Sequence, residues 1–157
     1  MTASAKEKLA ALYAHWCTAD SINYHLRRSL ESPANHDAEL AEPFKSLGIQ
    51  QSAFMTLSVW YALLYVVIEG YRELEIKDPE IDDLLSQTEF VDALRRFRNA
   101  TFHYQEDLLS DKLLKFISLA QSEKWVGRVN AALDRFLIDQ LGIKEMAKEW
   151  KMKSDKL

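Results

Sequence analysis

Apolar residues recur three or four positions apart along most of the chain. Leu9, Leu12, Trp16, Ile22 and Leu26 fall near that spacing and predict an amphipathic helix. Ser4 with Glu7 has capping-box spacing, so the helix is expected to start there and run to about Leu30. Residues 31–48 hold Pro33, Asn35, Asp37 and Pro43 and read as a loop with at most one helical turn. A second long helix is expected from Ile49 to Ile76. Its middle is apolar on most sides, which places it at the centre of a bundle. Val66, Val67 and Ile68 are β-branched, but their neighbours keep helical periodicity.

Asp78-Pro79 is an N-cap and first-turn pair for a short helix to Ser86. Thr88 is expected to cap a helix over Glu89–Thr101, Ser110 one reaching Gln121, and Ser122 one reaching Leu141, where Gly142 supplies a stop. A basic helix, Ile143 to Lys153, ends the pattern. The predicted fold is all-α: an up-and-down bundle of four to five helices in a single domain spanning 1–157, with 143–157 a short basic helix or tail. No internal repeat or linker divides it.

Composition supports this reading. Four glycines and three prolines in 157 residues are too few for the many turns of a β-fold. The single Cys17 excludes a disulfide within the chain and is expected to pack in the core. Lys6, Glu7 and Lys8 interrupt the N-terminal apolar residues, unlike a signal peptide. The most apolar run, Val59 to Ile68, is about half a membrane span. A cytoplasmic protein without a membrane partner is therefore expected.

Net charge is −4, which counts against nucleic-acid binding, but the charge is uneven. Glu73 to Asp92 carries eight acids and one lysine, whereas Arg95 to His103 carries three arginines and no acid. Such a basic spot can hold phosphate.

Within that spot lies Arg98-Asn99-Ala100-Thr101-Phe102-His103, at the expected C-terminal end of a helix. An arginine, a polar residue, and a histidine five positions after the arginine, in an all-helical chain of this size, resemble the signature of the HEPN family of RNA-cleaving and RNA-binding helical proteins. The resemblance covers the helical layout of most of the chain, and its specific part is Arg95 to Tyr104. It implies a metal-independent endoribonuclease of toxin, defence or stress type, without cofactor, acting on single-stranded RNA at a homodimer cleft. A protein antitoxin or regulator is a further implied partner.

The residue types suit that chemistry. His103 can act as general acid or base, because an imidazole titrates near pH ~6.5. Arg98 can clamp phosphate through its planar fork, and Asn99 can orient phosphate or imidazole. Arg95, Arg96 and Tyr104 are expected to contact RNA. One toxin branch carries, two positions after the histidine, a tyrosine that a partner nucleotidyltransferase modifies. Gln105 stands there in this chain, so that modification is not expected.

Residues five apart on a helix point about 140° apart, so Arg98 and His103 do not share a face of a continuous helix. Either the helix ends near Thr101 and the chain turns His103 back, or a second subunit completes the site. The plainer alternatives are that Arg98 pairs with Glu106 or Asp107 or caps carbonyls, and that His103 packs beneath aromatic neighbours.

Tyr61, Tyr65 and Glu69 lie four apart along the central helix. Glu69 is a supporting candidate that orients Arg98 or His103, although pairing with Arg72 or another core cation is the favoured reading. His15, Tyr24, His25, Arg27 and Arg28 read as helix surface, and His36 as a solvated loop residue. No spacing matches a zinc or di-iron site, a phosphate loop or a nucleophile elbow. The tail, Lys144 to Leu157, carries five lysines against three acids, with Trp150 expected to pack down. Two rival functions are a non-catalytic RNA- or nucleotide-binding module and a helical interaction scaffold.

Overall fold

A computed structural model describes residues 3–31, 44–107 and 110–154. These form seven helices: α1 (Ala3–Glu31), α2 (Phe44–Glu73), α3 (Pro79–Ser86), α4 (Thr88–Phe102), α5 (Asp111–Ser118), α6 (Ser122–Leu141) and α7 (Ile143–Ser154). The all-α class is as the periodicity predicts. The element count exceeds the expected four to five, because short α3, α5 and α7 accompany the four longer helices. Pro33, His36 and Pro43, within the expected loop, lie outside the described residues.

Helix α2 is the axis of the packing. It lies most extensively against α1 and then against α4, while α6 touches α1, α3, α5 and α7. The reason is in its sequence: Trp60, Tyr61, Ala62, Leu64, Tyr65, Val67, Ile68 and Tyr71 are all buried, so its middle has partners on most sides. From α1, Leu9, Leu12, Trp16, Ala19 and Leu26 form the facing stripe. Close approach depends on Gly70: a Cβ there would lie 2.6 Å from Leu12 Cδ1. Val91, Leu94, Phe97 and Ala100 of α4 close the other side. Tyr61, Phe97 and Phe116 bind α2, α4 and α5 together, with ring centroids 5.6–5.8 Å apart.

By length and composition, Gln50–Glu73 is long and apolar enough to cross a membrane, a longer stretch than the Val59–Ile68 run suggests. In this fold its most apolar residues are buried against α1 and α4, as the central helix of a bundle requires.

The helix ends refine the sequence reading. Asp78 caps α3 as expected, its Oδ1 accepting from the backbone N–H groups of Glu80 and Ile81, both at 3.0 Å. Thr88 and Ser122 are not caps: each is the first residue of its helix, and Gln87 and Gln121 precede them without a side-chain cap bond. Ser110 holds the cap position of α5, yet its hydroxyl is buried without a partner, and α5 ends at Ser118 instead of Gln121. Helix α2 starts five residues before Ile49, and Ser4 lies inside α1. Gly142 ends α6 in the left-handed region, φ 65°, as expected.

Two packing expectations are corrected. Cys17 is exposed, because α1 buries the adjacent Trp16 and turns the next position outward. Trp150 on α7 is 75% exposed, since α7 touches little beyond α6.

Candidate functional site

Helix α4 delivers Arg98 and Asn99 on its last full turn and stops at Phe102. Its C-cap is His103, whose backbone turns extended (φ −118°, ψ 146°) while its N–H still donates to the Asn99 carbonyl at 3.1 Å. The departing chain is held by Gln105, whose side-chain amide donates to the carbonyls of His103 and Tyr104 at 3.0 and 2.9 Å. A helix end leaves carbonyls without intrahelical partners, and this local fold exposes the histidine just beyond that point.

Arg98 is fixed from three sides. Its Nη2 donates to Glu69 Oε2 on α2 at 2.5 Å, and its Nη1 to Asn99 Oδ1 at 3.0 Å. The guanidinium carbon sits 5.3 Å from the centre of the Tyr65 ring. Its Nε is buried without a partner. The side chain is 26% exposed and that of Glu69 39%, so the pair is reachable from solvent. With its oxygen committed to Arg98, the Asn99 amide nitrogen has no hydrogen-bond partner among the described residues.

Electrostatics tie α2 to α4. The Tyr65 phenol is raised above its ordinary pKa, first by burial and then by Glu69, while Arg95, Arg72 and Arg98 pull it down. Arginines from both helices thus act on one buried ring.

Sequence reasoning favoured Arg72 or another core cation as the partner of Glu69, with Arg98 or His103 as the functional alternative. Instead Arg72 donates to the Leu85 carbonyl at 3.3 Å, and Glu69 takes Arg98. Glu106 and Asp107 form no ion pair with Arg98 among the described residues. The structure therefore brings together Glu69, Arg98 and Asn99.

It does not bond His103 to them. The His103 side chain is exposed, and its imidazole makes no hydrogen bond among the described residues. Neither does it lie beneath its aromatic neighbours, because Phe102 is 51% and Tyr104 89% exposed. Arg95 is exposed and reaches Asp92 at 3.7 Å. Arg96 is exposed and forms no ion pair among the described residues.

Tyr65 is the site residue that sequence reasoning missed. The signal was present, since Tyr61, Tyr65 and Glu69 form one stripe on α2, but no role was assigned to the ring. Glu69 also borders a groove of about 440 Å³ between α1 and α2, with Lys8, His15 and Glu73. Among the described residues, no group of three or more His, Cys, Asp or Glu is placed to hold a metal ion. Compared with known protein families, curated proteins and solved structures, the chain matches none.

Proposed function

We propose that the protein is a HEPN-like, metal-independent endoribonuclease that cleaves single-stranded RNA, with Arg98, Asn99 and His103 as its catalytic residues. The observation that carries this reading is the held Arg98 fork on α4, with His103 exposed at the C-cap of the same helix. Arginine stays charged and can stabilise a phosphorane, while His103 is open to solvent and has no competing partner among the described residues. Attack of the 2′-hydroxyl on the adjacent phosphorus expels the 5′-oxygen, leaving a 2′,3′-cyclic phosphate. One group must take the 2′ proton and another must protonate the leaving oxygen.

Each chain supplies one such histidine. A homodimer that brings the two helix ends together would supply both acid and base, and would place Arg95 and Arg96 of each protomer around the cleft. Exposed Phe102 and Tyr104 would offer faces on which unpaired bases stack. A toxin, defence or stress role in the cytoplasm, controlled by a protein antitoxin or regulator, completes the proposal.

The Arg98–Glu69 pair favours a second reading, an RNA-binding module that does not cut. A carboxylate already balances the arginine, which is a poorer starting point for transition-state stabilisation than a free cation.

Incubation with single-stranded RNA in excess EDTA tests both readings. Cleavage to cyclic phosphate ends, lost in Arg98→Ala and His103→Ala, supports the nuclease. Arg98-dependent binding without cleavage supports the module. Neither activity in a folded protein removes both and leaves the interaction scaffold.

A further inference from the structure

Away from Arg98, a cleft of about 860 Å³ opens where α1, α2, the end of α5 and the start of α6 meet. Its apolar walls include Leu26, Phe54, Leu57, Tyr61 and Ile117. The volume is in the range of small-molecule sites.

One buried donor in its wall has no acceptor among the described residues. Trp60, only 7% exposed, lines the cleft, and its indole nitrogen is buried without a hydrogen-bond partner. Indole N–H groups normally find acceptors when buried, and the other two buried tryptophans show this. Trp16 donates to Asn130 at 3.2 Å and Trp125 to the Leu84 carbonyl at 3.0 Å.

Positive charge gathers at the same place. Arg27 spends its Nε on Asn23, and its two terminal nitrogens have no partner among the described residues. Lys124 forms no ion pair among them either. The N-terminus of α6 also opens here: Ser122, Glu123 and Lys124 line the cleft, and no side chain caps the helix. Glu123 is the opposing charge, one carboxylate against two cations and a helix N-terminus.

We propose that this cleft binds a small amphiphilic anion, a carboxylate on an apolar chain or ring. The apolar body would lie against α2, and the head would meet Arg27, Lys124 and the first turn of α6. The carboxylate would also accept from the indole N–H of Trp60 as the wall adjusts. The inference is independent of the Arg98 site.

Isothermal titration of the full chain with sodium decanoate is the test, with decanol and decyltrimethylammonium as uncharged and cationic comparisons. Decanoate should bind saturably, one per chain, and about tenfold more tightly than decanol. Arg27→Gln and Lys124→Gln should each weaken it about threefold. Trp60→Phe, which keeps an aromatic wall, should weaken it similarly. The two charge variants sit at exposed positions, so the test stands even if Trp60→Phe fails to fold.

No saturable decanoate binding, equal affinity for all three amphiphiles, or unchanged affinity in both charge variants would each overturn the proposal. So would a dimer that Ala53→Arg dissolves in a protein that ignores decanoate, because the cleft would then be seating a second copy.

Discussion

Arg98 on α4 and Glu69 on α2 share a hydrogen-bonded ion pair that crosses 29 residues of chain, and the same guanidinium is tied to Asn99. The arginine is thereby held in place and electrically balanced at once. Both partners keep part of their surface in water, so solvent screens the attraction. A double-mutant cycle of Arg98→Ala and Glu69→Ala, read by urea unfolding, should return a coupling of about 0.5–1 kcal/mol.

The same balance sets the expected response of RNA binding. Glu69→Gln keeps an acceptor for Arg98 and removes the opposing charge. RNA affinity should rise roughly threefold at low salt and the gain should shrink as salt is added, by fluorescence anisotropy. If Glu69→Gln weakens binding, the carboxylate is not competing with phosphate. Glu69→Ala also loses the tether, so cleavage should fall even where binding improves.

Because His103 is not bonded to Arg98 within one chain, a shared dimer site makes a distinctive forecast. Arg98→Ala and His103→Ala should each be inactive alone. Exchanging wild-type subunits with an equal amount of His103→Ala should halve the cleavage of the wild-type subunits present, since a mixed dimer keeps one histidine where the shared cleft needs two, and only half of the wild-type subunits stay in wild-type dimers. Cleavage unchanged by the exchange would show that the two histidines do not act together in one cleft.

Asp78 carries an unusual share of the α2–α3 corner. Its Oδ1 accepts from two first-turn amides, its carboxylate meets Arg135 of α6 at 3.1 and 3.2 Å, and its own N–H donates to the Tyr71 hydroxyl at 2.7 Å. Asp78→Ala should cost about 1–2 kcal/mol of unfolding free energy. Asp78→Asn keeps the cap and loses the charge, so its cost should be about half that. Equal losses would assign the effect to the ion pair with Arg135.

The bundle was legible because its signals are local and repeated. Leu9, Leu12 and Trp16 announce a buried stripe without reference to any other helix, and Asp78-Pro79 and Gly142 encode their own backbone geometry. Thr88 and Ser122 misled because a hydroxyl before an apolar run is equally suited to the first turn. At the candidate site, the order Arg98, Asn99, His103 was visible and Arg98 stood among the partners considered for Glu69, but the choice between Arg98 and Arg72 was not visible. Arg72 is three residues from Glu69 on the same helix, and Arg98 is a neighbour only after α4 docks on α2. Whether Tyr65 lies under a cation depends on the same docking.

Alkaline pH should expose the cost of the buried phenols. Tyr61 is pushed up to about 12, first by burial and then by Glu123, and Tyr71 also to about 12, mainly by burial. With the folded pKa above the unfolded value, the native state holds the phenolic proton more tightly. The associated stability is fully present below the unfolded value near pH ~10 and is lost as pH rises toward the folded one. For Tyr61, 5% exposed, the loss is on the order of 2 kcal/mol by pH ~12. Tyr61→Phe keeps the ring contacts with Trp60, Phe97 and Phe116 and removes the titration. Urea unfolding at about pH 9 and about pH 11.5 should show a smaller drop for Tyr61→Phe than for the parent chain. Lysine deprotonation affects both proteins alike, so the difference isolates the phenol, and parallel drops would mean that Tyr61 ionises in the native state as readily as it does in the unfolded chain.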